Sequence, residues 1–141
     1  MSTHDKGPEP YVVDIEALTT ENTNFRTAAW TGQFLQMTLM SIPVGGQIGL
    51  EIHHDTDQFI RIEAGTAKVM MGATKDALDL EWEAKADHAI FIPSGMWHNV
   101  VNTGLEPLKV YSIYAPAHHP KNTVHATYED AQAAEAEHGH N

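Results

Sequence analysis

An all-β sandwich or barrel is the architecture this chain predicts, and three features carry the prediction. Short stretches with apolar alternation recur at spacings of about ten residues. Glycine, proline and aspartate punctuate them. No long apolar pattern of helical period lies between them. The first stretch is Phe34–Ile42, with Leu35, Met37, Leu39 and Ile42, closed by Pro43-Val44-Gly45-Gly46. Ile48–His53, Gln58–Glu63, Ala67–Met71, Leu80–Glu83, Ala89–Ile92, His98–Asn102 and Leu108–Tyr114 follow. Asp55-Thr56-Asp57, Ala64-Gly65, Gly72, Asp87, Pro93-Ser94-Gly95 and Thr103-Gly104 supply the turns between them.

The ends differ in character. Residues 1–10 are polar and rich in proline and glycine, and read as a flexible arm. Val12 to Thr20 is apolar and acidic, a brief strand with one helical turn. One domain spans residues 11–126, without internal repeat or linker. Residues 127–141 form a carboxy-terminal helix and tail: Thr127 caps, Glu129 and Asp130 fill the first turn, and alanines follow. Alanine brings helix propensity but little apolar area, so the helix is peripheral. His138 and His140 beside Gly139 suit the negative end of that helix without any ligand role.

Composition narrows the function. The chain of 141 residues carries 8 Lys and Arg against 19 Asp and Glu, a formal charge of −11. That field repels phosphate backbones and anionic headgroups, so neither nucleic acid nor a membrane surface is an expected partner. No run approaches the roughly 18 apolar residues of a membrane span, and MSTHDKGPEP lacks a signal-peptide core, which points to the cytoplasm. Zero cysteines exclude disulfides, thiolate ligands and cysteine nucleophiles. Ten histidines in so short an acidic chain make their placement the central question.

On a strand over Ile48–His53, Ile48, Leu50 and Ile52 share one face and Glu51 and His53 the other. A two-residue step sets the latter pair about 6.5 to 7 Å apart, close enough to converge on one ion. Gln58 opens the returning strand and alternates with Ile60 and Ile62; Phe59, Arg61 and Glu63 face the opposite way. Pro93-Ser94-Gly95 is a tight turn that delivers His98 at the head of a strand, with Val100 and Asn102 on the same face. Asn102 precedes Thr103-Gly104, where its amide can tie down the turn.

These residues resemble the cupin superfamily. Its second motif, P-x-G-x-x-H-x-x-x-N, is matched by Pro93, Gly95, His98 and Asn102. Its first motif commonly runs G, five residues, H-x-H, three or four residues, E, six residues, G. Gly45, Glu51, His53, Gln58 and Gly65 fit that spacing, with Glu51 where the first His is usual and Gln58 where the Glu is usual. Asp87 replaces the glycine that opens the second motif. A three-residue gap to Gln58 selects His54 and pairs it with Ile52, which cannot ligate; a four-residue gap selects His53 and brings in Glu51. The second register gives four donors and is the one expected, with His54 outward. HHDTDQFIRIEAG, PSGMWHNVVNTG and YSIYAPAHHP together look like small bacterial single-domain cupins of the mannose-6-phosphate-isomerase-like group.

The resemblance implies a double-stranded β-helix (jelly-roll) barrel holding a divalent metal on Glu51, His53, Gln58 and His98, with Asn102 structural. Two imidazoles, one carboxylate and one amide oxygen form a borderline-hard set that suits Mn²⁺, Fe²⁺, Zn²⁺ or Ni²⁺. A single carboxylate leaves the site near +1, which favours a small polar or anionic ligand. Four protein donors leave adjacent positions open on a six-coordinate ion. Cupins of this kind use such openings for isomerisation, dioxygen chemistry or lyase reactions, or simply to bind a saccharide or other small molecule. His118 and His119, just after the last long strand, are the candidate acid–base groups. Apolar positions at Ile48, Leu50 and Ile52 need cover from the first strands or a second subunit, and the resemblance implies a homodimer.

Overall fold

Alternation along the chain sorts side chains to the two faces of each strand, and the buried faces meet. The computed structural model describes residues 4–137. Its strands are β1 (Arg26–Thr31), β2 (Gln36–Ile42), β3 (Asp57–Ala64), β4 (Thr66–Gly72), β5 (Leu80–Lys85), β6 (Ala89–Ile92), β7 (Trp97–Asn102), β8 (Leu108–Ala115) and β9 (Val124–His125). Helix α1 (Ile15–Glu21) precedes them and α2 (Tyr128–Glu137) follows. One sheet has six strands in the order β6-β3-β8-β2-β1-β9 and the other three, β5-β4-β7. Every ladder is antiparallel. In β3, Gln58, Ile60 and Ile62 point inward; in β8, Leu108, Val110, Ser112 and Tyr114 do. Met40, Ile42, Ile60, Ile62 and Val110 from the large sheet meet Val69, Met71 and Val100 from the small one in a single core. This is the expected all-β jelly roll. Among the described residues no helix is long and apolar enough to cross a membrane.

Helix α1 covers the outer face of the large sheet, where Ile15 and Leu18 pack on Ala29, Met37 and Leu39. Asp14 caps it, accepting from the Ala17 N–H at 3.1 Å. Helix α2 is capped as expected: Thr127 Oγ1 accepts from the Asp130 N–H at 3.0 Å. Tyr128 stands edge-on to Phe25 at 5.6 Å, and Ala131 is fully buried, so this helix seals the body rather than protruding. The expectation for His138 and His140 lies outside the described residues.

Three segments depart from the alternation reading. Ile48–His53 is not a ladder strand but a strap held by two isolated bridges, Gln47↔Val101 and Glu51↔His98. Gly49, at φ +111, breaks the pleat. Ile48 and Ile52 therefore turn into the protein while Leu50 is 45% exposed, so the three do not form one outer apolar face. Strand β1 escapes sequence reading because a bulge between Ala28 and Trp30 buries Ala28 and Ala29 in succession. The arm, over its described residues, is held rather than free: the buried Asp5 carboxylate accepts from Gly7 N–H (3.1 Å), Thr31 N–H (2.9 Å), Thr31 Oγ1–H (2.6 Å) and Asn122 N–H (3.1 Å).

Burial alone raises the Asp5 pKa, but the Thr31 hydroxyl and the Asn122, Gly7 and Thr31 amides outweigh it and hold the carboxyl below its ordinary value. Its contribution to stability is then complete above the unfolded-state pKa and is lost as pH falls through the lower folded value. Asp5→Asn is expected to cost about 1–3 kcal/mol near neutrality, and the gap to wild type in urea midpoints should close below about pH 4. Asn102 fixes the turn after β7: its amide donates to Ile42 O (2.9 Å) and Glu106 O (3.0 Å) and accepts from Gly104 N–H (2.9 Å). Asn102→Ala strands these buried groups and should destabilise by about 2–4 kcal/mol, measured by the same denaturation.

Candidate metal centre

The strap and the head of β7 build the site through the backbone. Glu51 and His98 exchange both main-chain hydrogen bonds, at 3.0 and 2.9 Å. Residues paired directly across an antiparallel bridge project to the same side, so this exchange sets the carboxylate beside the imidazole. Two residues on, His53 O accepts from Gly95 N–H at 2.7 Å, which registers the strap against the Pro93–Gly95 turn. Asn99 locks the other end: its Oδ1 accepts from Gly49 N–H at 2.9 Å and its amide donates to Gln47 Oε1 at 2.7 Å.

The resulting trio is tight and buried. Glu51, His53 and His98 are all buried, and one donor atom from each lies within 4.8 Å of the others. Glu51 Oε2 is 3.4 Å from His98 Nε2 and 3.6 Å from His53 Nε2. Burial pushes the Glu51 pKa up, but the two imidazoles pull it well below the carboxylate range, so the group is ionised. His98 Nδ1 lies 3.0 Å from Met96 O. A carbonyl can only accept, so Nδ1 carries the proton and Nε2 offers its lone pair to the interior.

Whether a cation fits here is decided by buried donor atoms that the protein satisfies only in part. Glu51 Oε2 and His98 Nε2 meet each other only at 3.4 Å, and Gln58 Oε1 is buried without a hydrogen-bond partner among the described residues. Each such atom costs about 1–3 kcal/mol, and a divalent ion satisfies several together. Gln58 is inward on β3 and 3% exposed; its amide nitrogen approaches Ser112 Oγ at 3.4 Å, leaving the carbonyl oxygen for the interior. The donor set fits a borderline divalent metal.

The remaining sequence candidates fall around this centre. His54 is exposed and lines, with His53, Asp55, Thr56, Pro116 and His118, a recess of ≈ 190 Å³ at the mouth. His118 crosses that mouth, its ring 4.2 Å from His53 and 5.7 Å from Tyr114. His119 is buried beside Tyr114 (5.2 Å) and His118 (4.7 Å). Burial first, then the Arg26 and His118 charges, hold its pKa well below 6.5, so it is neutral at pH 7. Asp87, in the place of the motif glycine, adopts φ +74 and accepts from Arg61 Nη2 at 2.8 Å.

Three residues outside the sequence reading complete the surroundings. Gln36, fully buried, accepts from the His118 and His119 N–H groups at 3.2 and 3.0 Å and donates to His119 O at 2.7 Å. Tyr114 stands edge-on to His53 at 5.8 Å, and burial raises its pKa so that the phenol keeps its proton. Arg26 is a buried guanidinium at the start of β1. Only the polarity of Gln36 and Arg26 on otherwise inward-facing strands could have marked them.

Comparisons with known proteins agree with this geometry. Residues 38–114, more than half of the chain, match the family described as the cupin domain. The chain is 56% identical over 131 residues to YrkC of Bacillus subtilis (strain 168), covering 93% of this chain and 70% of that protein. It is 39% identical over 115 residues to L612 of Acanthamoeba polyphaga mimivirus, covering 81% and 70%. The crystal structure of BH2720 from Bacillus halodurans superposes with a TM-score of 0.92 at 56% identity, covering 94% of this chain and 99% of that one. With Glu51, His53 and His98 gathered inside a jelly roll and the family match running from β2 to β8, the chain belongs to the cupin family.

Proposed function

We propose that this protein is a divalent-metal cupin that takes a small polar or anionic metabolite into its barrel. The observation that carries the reading is the convergence of the buried Glu51, His53 and His98, one donor atom of each within 4.8 Å of the others. Gln58 is the fourth donor. Manganese, iron, zinc and nickel all suit this set. A bound ion would polarise oxygens of the ligand. His118, against His53 at the mouth, is placed to move a proton, and His119 lies behind it. This arrangement serves an isomerase-like proton transfer and, with a redox-active ion, a dioxygenase-like step. A phosphorylated sugar is a poor fit: Lys68 is engaged by Glu81 at 2.6 Å and Lys109 by Asn22 O, and the described lysines form no cluster at the mouth.

A second reading, a metal-dependent binding module without turnover, is favoured by one feature. Gln58 is a neutral, weak donor where the family pattern usually has an acid, and it makes the ion less tightly held. In either reading the protein acts in the cytoplasm as a homodimer; Phe34 at 74% and Phe91 at 72% exposure support a covered apolar surface.

Elemental analysis of tag-free protein tests the site. His53→Ala should abolish stoichiometric metal loading, while His54→Ala, altering an exposed side chain, should leave it intact. The reverse pattern would reassign the ligand. Gln58→Glu adds a charge and should tighten metal binding by about tenfold, or ~1.4 kcal/mol, in competition with a chelator. Unchanged affinity would remove Gln58 from the donor set.

A further inference from the structure

One chain of hydrogen bonds joins the amino-terminal arm to the mouth of the candidate centre. Asp5 is 1% exposed, and its Oδ2 accepts from Thr31 Oγ1–H at 2.6 Å and from Asn122 N–H at 3.1 Å. A hydroxyl carries one proton and a carboxylate can only accept, so that proton is committed to Asp5. The lone pairs of Thr31 Oγ1 are left to accept, and Gln36 Nε2–H donates to them at 3.0 Å. The second amide hydrogen of Gln36 goes to His119 O at 2.7 Å. Its Oε1 accepts from His118 N–H and His119 N–H, at 3.2 and 3.0 Å. Both hydrogens and both lone pairs of this buried amide are thereby used. Turned over, the amide would set its NH₂ against two N–H donors and its oxygen against a carbonyl.

The segment held in this way has no strand to hold it. Residues 116–123 belong to no ladder, so side chains from the arm and from β2 take the part that a neighbouring strand would play. Lys121 Nζ donates to Gly7 O and lies 4.0 Å from Asp5 Oδ1. The arm in turn lies on β1: Lys6 N–H donates to Ala29 O at 3.0 Å, and a Cβ on Gly7 would fall 2.2 Å from the Thr31 backbone. His118 is where the segment meets the site. Its ring is 4.2 Å from that of His53, and the two line the same recess with His54 and Asp55.

We propose that Asp5 is a positioning residue for His118: acting through the Thr31 hydroxyl and the Gln36 amide, its carboxylate holds His118 against His53, so that the arm sets the shape of the recess beside the candidate metal centre. Each link has a fixed donor and a fixed acceptor, which gives the relay a direction from the carboxylate to the mouth. The functional meaning of the relay rests on the proposed metal site, to which it adds a point of control at the far end of the sequence.

The test is amide hydrogen exchange, read residue by residue by nuclear magnetic resonance on metal-free protein. Thr31→Val keeps the shape of the side chain and removes the hydroxyl. The His118 and His119 amides should then exchange about tenfold faster. The Asn122 amide, bonded to Asp5 directly, and the amides of β3 and β8 should stay within about twofold of wild type. The nuclear Overhauser contact between the His118 and His53 rings should weaken in the same variant. Thr31→Ser returns the hydroxyl and should restore both readings. Unchanged His118 and His119 exchange, an equal acceleration of Asn122 and the core amides, or an undiminished ring contact would overturn the relay. Should Thr31→Val fail to fold, Asp5→Asn decides, since it sets an amide donor against donors that the carboxylate accepts. His118 and His119 should then accelerate together with Asn122, and unchanged rates at the two histidines overturn the assignment. No metal enters this experiment, so a protein that takes up no ion in elemental analysis counts against the metal site alone.

Discussion

The Glu51–His98 bridge is the contact on which the rest of the centre depends. Two main-chain hydrogen bonds fix the strap to the head of β7, and the projection of paired residues then sets a carboxylate and an imidazole side by side in the interior. Glu51 is ionised there because the imidazoles outweigh its desolvation, which makes it the negative pole of the barrel. His53 joins from the same strap through its own tie to Gly95. No side chain in this trio owes its position to a long flexible loop.

Around that pole the barrel distributes polarity unevenly. Val69, Met71 and Val100 of the small sheet and Met40, Ile42, Ile60, Ile62 and Val110 of the large one contribute aliphatic side chains, while β2, β3 and β8 also contribute Gln36, Gln58, Ser112 and Tyr114 and β7 contributes His98. Buried polar groups are tolerated when they are hydrogen-bonded, and several here are only partly so. Gln36 is the exception that holds the mouth: one side-chain amide satisfies both peptide N–H groups of the His118-His119 pair and the His119 carbonyl. The His118-His119 segment beside the site is thus held by a buried side chain of β2.

Most of the architecture was legible because strand alternation is a period-two signal, and β3, β6 and β8 obey it. The pairing of Glu51 with His53 was legible through spacing, as was the turn that presents His98. The strap was misread as a regular strand because a glycine in the left-handed region carries no mark beyond its identity. Strand β1 was invisible because its bulge destroys the very alternation that would announce it. Gln36, Tyr114 and Arg26 could not be assigned from sequence at all, since a single inward polar residue on a strand acquires meaning only from what other strands bring opposite it.

The carboxy-terminal helix has a wider consequence. A Cβ built on Gly49 would lie 3.3 Å from Gln132 and 3.4 Å from Tyr128, so α2 rests directly on the strap, two residues before Glu51. Helix α2 and the strap that carries Glu51 and His53 are therefore one mechanical unit. Changes at Tyr128 or Gln132 reach the strap from behind, without touching any of the candidate donors.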